Sequence, residues 1–396
     1  MSVKEQIQTK AKAYFDDIVS MRRHLHSNPE LSYVEFNTSD FIAQKLKEYD
    51  VPFEQGMVKT GVVALIKGNN PDKKTICLRA DIDALPIVEA NDVPYKSTKE
   101  GVMHACGHDA HTSSMLGAAR ILNEIKNEFE GTIKIIFQPG EEKLPGGASL
   151  MIKEGVLENP KVEKMFGQHV YPQMEAGKVG FKKGMYMASA DELYLKVTGK
   201  GGHAALADAY NNPLLIASQI LLNLDKEFMK GEEKPAPTVL AFGKITGEGA
   251  TNIIPDYVSI AGTFRTMDEE WRAEAHKRMQ KIVNDTSAEM GGSAELDIHV
   301  GYPFLVNDDV TTENAMQAAK EYLGEENVEE LPFRMTSEDF AYYSQTTPVC
   351  FYRLGTANSA KGINSGLHTT TFDVEETSLE IGAGLMAWLA INELAT

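Results

Sequence analysis

Two rhythms of apolar and polar positions recur along this chain. GVVALIKG at 61–68 and KKTICLRADIDAL at 73–85 are short, nearly continuous apolar runs that read as strands, the second ending in carboxylates. Residues 5–50 instead carry helical periodicity, interrupted at Asn28-Pro29. A helix is predicted over 108–127, a strand over GTIKIIFQP at 131–139, and a further helix around 146–155. This alternation predicts an α/β layered domain whose working residues gather beyond the carboxyl ends of its strands. Polar clusters sit where that rule asks: Asp81 and Asp83 after TICLR, Glu141 and Glu142 after IKIIF, and His169 after the apolar stretch VEKMFG.

From about residue 187 the pattern changes. The strand ADELYLKVTG, a helix at 211–230, the strands PTVLAFGKI and DYVSIAGTFRT, a helix at 268–290 and the strand ELDIHV follow in β-α-β-β-α-β order. That order predicts a ferredoxin-like α+β insert. After it the chain reads again as α/β, with a helix at 312–323, the strand PVCFYRLG and a last helix from 375. The expected division is therefore a catalytic domain in two parts, 1–186 and 301–396, split by an inserted domain at 187–300.

Composition narrows the function classes. With 396 residues, 42% hydrophobic and 24% charged, the chain is that of an ordinary globular enzyme large enough for two domains. A formal net charge of −18 opposes binding to nucleic acid and to anionic lipid, and no apolar run reaches the length of a membrane span. Cys77, Cys106 and Cys350 are the only cysteines, which argues against a disulfide framework and for a reducing, cytoplasmic setting.

Metal chemistry is the strongest local signal. His104-Ala105-Cys106-Gly107-His108-Asp109-Ala110-His111 packs three imidazoles and a thiol into eight residues at a helix entrance. Thiolate and imidazole are the donors that zinc-like metals prefer, and Gly107 lets the backbone turn so that Cys106 and His108 face one ion. His111 is expected to orient a neighbour or pack the helix rather than ligate, and His104 is left open. Cys106, His108, His169, His368 and one of the two glutamates make five donors, enough for two ions sharing a bridging group. The other glutamate is then available to accept a proton from water. Spacing does not say which of Glu141 and Glu142 does which. Asp81 and Asp83 share a strand face, and one of them is expected to orient a histidine or support a catalytic group. The donor set does not fix the metal, since zinc, manganese, cobalt and nickel all accept it, and manganese or zinc is the expectation.

The motifs RRHLHSNPELSYVE (22–35), RADIDALPI (79–87), MHACGHDAH (103–111), FQPGEE (137–142), GKGGHAA (199–205), TNIIPD (251–256), SEDFAYY (337–343) and LHTTTFD (367–373) span nearly the whole chain in order. Together they resemble the co-catalytic metallopeptidases and amidohydrolases that include hippurate hydrolase, aminoacylases, N-acetyldiaminopimelate deacetylase and plant auxin-conjugate hydrolases. The resemblance implies a three-layer mixed-sheet catalytic domain, a lid domain carrying a homodimer interface, and cleavage of N-acyl amino acids or small amino-acid conjugates. It implies Cys106, His108, Glu142, His169 and His368 as ligands of two divalent ions, and Glu141 as general base. It further implies that His203 holds the scissile carbonyl oxygen, within or across the dimer, and that Asn252 and Arg265 face the substrate, Arg265 on its carboxylate. Asp83 is carried as a supporting catalytic residue. Alternatives are a dipeptidase or carboxypeptidase of the same family, and a metal-dependent protein that binds conjugates without turnover. FQPGEEKLPGGA and LHTTTFD depart from the family's usual sequence after the glutamates and after the histidine, which bears on substrate preference.

Overall fold

The structure, a computed structural model, describes residues 1–230 and 233–396. The chain divides into two compact units. The first comprises Met1–Tyr186, Val306–Pro332 and Tyr342–Thr396, and the second Met187–Leu305 with Phe333–Ala341. The second unit thus takes in Phe333–Ala341, a segment with no periodicity that sequence alone would attach to it.

In the first unit, eight strands form one mixed sheet in the order Phe53–Met57, Gly61–Lys67, Thr132–Gln138, Thr75–Asp81, Lys164–Glu175, Val349–Ala357, Val179–Phe181 and Val328–Glu330. The four central strands run parallel, which sets their carboxyl ends at one edge. Every residue of Thr75–Asp81, Thr132–Gln138 and Val349–Ala357 is buried, so both faces of the sheet centre are covered, as in three-layer α/β folds. Helices His108–Glu124 and Ser378–Ala395 pack against each other and against the central strands. Ser378–Ala395 is apolar nearly all round and buried accordingly.

One correction concerns His169. It does not follow a strand but lies inside Lys164–Glu175, paired with Arg353 of the neighbouring strand. The strand runs on past its apolar start because Val349–Ala357 hydrogen-bonds along it, a partner nearly 200 residues away that no local pattern announces. Another buried oddity is Lys134, whose ammonium donates to the carbonyls of Val156, Glu158 and Pro160 at 2.8, 2.7 and 2.9 Å. All three of its hydrogens are thereby used, which makes a buried cation tolerable.

The second unit is a four-stranded antiparallel sheet in the order Thr238–Thr246, Tyr257–Thr266, Asp191–Thr198 and Ser293–Val300. With helices Pro213–Phe228 and Glu269–Glu289 it has the ferredoxin-like order read from the sequence. Alternate residues of Asp191–Thr198 are buried, so one face meets the helices in a core of Leu193, Leu195, Ile216, Phe264, Trp271 and Met279. Asp191, at the entry to this unit, accepts from His276 Nε2 at 2.6 Å, from Arg272 Nε at 3.1 Å and from the Gly301 amide at 3.2 Å. The entry and the exit of the insert are fastened there by one carboxylate.

Candidate metal centre

Three backbone features bring the donors of the first unit together. Gly107, with φ 85°, turns the chain into helix His108–Glu124, and a Cβ there would lie 2.4 Å from Val170 Cγ2. Only glycine meets both demands. Gly140, with φ 63°, turns the chain after Thr132–Gln138 and presents Glu141 and Glu142. His368 has φ 59°, uncommon for a residue with a Cβ, and its amide is held by the Ala105 carbonyl at 2.8 Å.

The resulting cluster overlaps itself. Ligand atoms of Cys106, His108 and His169 lie within 4.8 Å of one another, as do those of Cys106, Glu142 and His368, and those of His108, Glu141 and Glu142. Cys106 Sγ is 3.5 Å from His169 Nε2, and His368 Nε2 is 3.2 Å from Glu142 Oε1. Cys106, His108, Glu141 and His169 are buried, whereas His368 is exposed, so the cluster opens to solvent on one side.

Hydrogen bonds decide which ring nitrogen of each histidine is available. His169 Nδ1 donates to the Val170 carbonyl at 2.8 Å, leaving Nε2 to face Cys106. His108 Nδ1 donates to Asp83, at 2.9 Å to its carbonyl and 3.2 Å to Oδ1, and His108 Nε2 is buried with no hydrogen-bond partner among the described residues. His111 differs. Its Nδ1 donates to Asp81 Oδ1 at 2.5 Å and its Nε2 accepts the Val170 amide at 2.9 Å, so neither nitrogen is left for a metal. Asp83 Oδ2 accepts the Glu142 amide at 3.0 Å and the Ser32 hydroxyl at 2.6 Å, so this carboxylate orients both His108 and the glutamate loop. Asp81 is held in turn by Arg79 Nη1 at 2.6 Å.

The electrostatics are those of a site built for cations. Burial raises the Cys106 thiol, and the nearby Glu142 and Glu141 push it further above its ordinary range. Burial opposes a charge on His108, but Asp81 and Asp83 outweigh it and push the imidazole up to about 10. Burial, then Arg353 and His111, holds His169 well below its ordinary range, so that its Nε2 keeps a lone pair to offer. For Asp81 the cost of burial is overcome by His108, His111 and Arg79, which hold the carboxyl well below its ordinary range. Without cations, His108 Nε2 has no hydrogen-bond partner among the described residues, and Glu142 Oε1 has none there beyond its 3.2 Å approach to His368 Nε2. A divalent ion satisfies both, and the thiolate, imidazole and carboxylate donors are ones that transition metals accept.

Arg353 was not singled out by sequence reasoning, though an arginine inside the apolar run PVCFYRLG was a signal. The same holds for the buried set behind helix His108–Glu124. There Asp109 Oδ2 accepts from Arg22 Nε and pairs with His26 Nδ1, both at 2.8 Å. His104 is buried with no hydrogen-bond partner among the described residues on either nitrogen, and burial lowers it to about 4.

The remaining candidates belong to the second unit. His203 and Ile253 pair between the short strands Gly202–His203 and Ile253–Ile254, and the Asn252 carbonyl accepts the Ala204 amide at 3.1 Å. His203 is exposed, and its Nδ1 accepts the Ala205 amide at 3.1 Å. Arg265, half-buried on Tyr257–Thr266, donates from Nη1 to the Met335 carbonyl at 3.1 Å and faces no carboxylate among the described residues. Burial alone lowers its pKa.

Comparison with sequence families matches residues 77–392 to peptidase family M20/M25/M40. The chain belongs to this family. Within it, an N-acetyl-L-cysteine deacetylase from Bacillus subtilis is 38% identical over 362 residues, covering 91% of this chain and 84% of the relative. Thermostable carboxypeptidase 2 of Saccharolobus solfataricus is 36% identical over 395 residues, covering 99% of each. The crystal structure of a dinuclear metal-binding M20 peptidase from Bacillus subtilis superposes with a TM-score of 0.82 at 33% identity, covering 97% of this chain and 99% of that one.

Proposed function

We propose that this M20 chain hydrolyses the amide bond of N-acyl amino acids or small amino-acid conjugates. Two divalent ions, manganese or zinc, would be held by Cys106, His108, Glu142, His169 and His368. What these ions supply when bound is Lewis acidity, which acidifies a water and polarises the scissile carbonyl. Glu141 takes the proton of the attacking water and delivers it to the leaving nitrogen, so that the products are a carboxylic acid and an amine. Asp83 fixes the ring of His108 and the start of the glutamate loop. In this reading His203 stabilises the oxyanion, Asn252 faces the substrate, and Arg265 receives the substrate carboxylate, a task suited to a planar guanidinium.

One observation carries the reading: the cluster holds one carboxylate more than its donor groups need. The groups Cys106–His108–His169 and Cys106–Glu142–His368 together contain all five proposed ligands, and Glu141 is in neither, although it lies within reach of His108 and Glu142. A protein that merely bound conjugates would have no use for that group. Glu141→Gln is expected to keep both metals and lower kcat by a factor of about 100 to 10,000 on a panel of N-acetyl and N-benzoyl amino acids. Chelation should abolish the wild-type activity and manganese or zinc should restore it. Near-wild-type turnover by the metal-loaded variant would remove Glu141 from its role.

A second reading is supported by the similarity to a protein named thermostable carboxypeptidase 2: cleavage of dipeptides, which requires room for a free α-amino group. Dipeptides matched to the acyl substrates separate the two by kcat/KM. We also propose a homodimer through the second unit. Leu215 and Leu222, 62% and 61% exposed, lie two turns apart on Pro213–Phe228, beside the edge strand Thr238–Thr246 that carries Ile245, 53% exposed. Three buried free thiols and the charge of −18 favour the cytoplasm, without nucleic-acid or membrane partners. No helix of the described residues is long and apolar enough to cross a membrane.

A further inference from the structure

The motif at 22–35 supplies none of the candidate metal donors, yet its second half is stitched to both carboxylate loops. Glu35 is fully buried. Its Oε1 accepts the Gly140 amide at 2.9 Å and the Tyr33 amide at 2.9 Å, and its Oε2 accepts the Thr60 hydroxyl at 2.7 Å. Gly140 immediately precedes Glu141. On the other side of the glutamates, the Tyr33 hydroxyl donates to the Lys143 carbonyl at 2.9 Å. The Tyr33 ring lies so close to Gly140 that a Cβ there would meet Cε1 at 2.4 Å. Ser32 completes the set by donating to the Asp83 oxygen that also accepts the Glu142 amide. The segment itself is anchored to the strand end by the Ala84 amide, which donates to the Glu30 carbonyl at 2.8 Å.

We infer that the segment 30–35 positions the proton-accepting loop, with Glu35 and Tyr33 gripping the chain on either side of Glu141 and Glu142. Two features argue that position rather than stability is served. A buried carboxylate needs every one of these bonds merely to offset its desolvation, which an apolar side chain would not incur. Tyr33 adopts φ 67°, an uncommon conformation for a bulky residue and one that holds where surroundings over-determine it. Glu35 reaches only peptide groups and a hydroxyl in these contacts, so it is a positioning residue and not a catalytic one.

The inference rests on Glu141 being the general base, and the test separates the two claims. In the full-length metal-loaded protein, Glu35→Ala is expected to lower kcat by a factor of about 10 to 100, since small misplacements of a reacting group have effects of that size. KM should stay within about twofold and both metals should remain. Glu35→Gln, which keeps an oxygen for the Gly140 amide, should restore most of the rate. Tyr33→Phe, which removes the bond to Lys143 and keeps the ring, should lower kcat by a smaller factor. In metal-free protein, amide exchange of the peptide containing 139–143 should be faster in Glu35→Ala than in wild type or Glu35→Gln. A folded Glu35→Ala with wild-type kcat and unchanged exchange overturns the inference, as does a Glu35→Gln equally impaired. Should Glu35→Ala not fold, unchanged kcat in both Tyr33→Phe and Ser32→Ala overturns it. Wild-type protein without metal-restored hydrolysis would instead sink the hydrolase reading, while the exchange measurement would still decide whether Glu35 fixes the loop.

Discussion

Cys106 and His108 both hold protons at neutral pH when no cation is present, the thiol because it is raised well above its ordinary range and the imidazole because it is pushed up to about 10. Metal loading must displace them. Binding is therefore expected to release protons and to tighten as pH rises through neutrality. Titration calorimetry in two buffers of different ionisation enthalpy checks this, and identical heats in both would contradict it. These two residues were legible in the sequence because a thiol and three imidazoles in eight positions are dense in soft donors. The availability of each nitrogen was not. His111 sits in the same stretch, yet a backbone amide from strand Lys164–Glu175 occupies its Nε2. Likewise the pairing of Asp109 with Arg22 and His26 joins residues more than 80 positions apart, and nothing local indicates it.

At the scale of elements, the entry to helix His108–Glu124 is a tight joint in the site. Gly107→Ala combines a strained left-handed backbone with a contact at 2.4 Å to Val170 Cγ2. It is expected to lower stability by about 1–3 kcal/mol and to weaken metal binding. Thermal melts of the metal-free protein and metal titrations check both, and an unchanged melting temperature would show that Val170 yields freely. The helices and the long central strands could be read from periodicity, since each carries its own apolar pattern. The short strands Val179–Phe181 and Val328–Glu330 could not, because three residues hold no period and their pairing depends on sheet neighbours. His169 was misplaced for the same reason: the far half of its strand is polar enough to look like a loop.

For the molecule as a whole, the β-α-β-β-α-β order announced the insert, whereas the grouping of Phe333–Ala341 with it depends on tertiary contacts alone. Asp191 links the insert's stability to pH. Burial works against its charge, but hydrogen bonds from His276 and Arg272 outweigh that and hold the carboxyl below its ordinary range. Its contribution is therefore complete above the ordinary carboxylate value of about 4 and is lost as pH falls through the depressed value. Asp191→Asn should melt lower than wild type at pH 7 and lose less on acidification, and parallel melting curves against pH would contradict this. For the proposed dimer, Leu215→Glu combined with Leu222→Lys should yield monomers in sedimentation without changing the fold. An insert also imposes a timetable. Lys164–Glu175 needs Val349–Ala357 alongside it, and everything between must be synthesised first. At about 5–20 residues per second, one edge of the catalytic sheet waits on the order of 10–40 s on the ribosome without its partner. During that interval the unpaired strand edge can pair with other chains, so aggregation is expected to compete with folding.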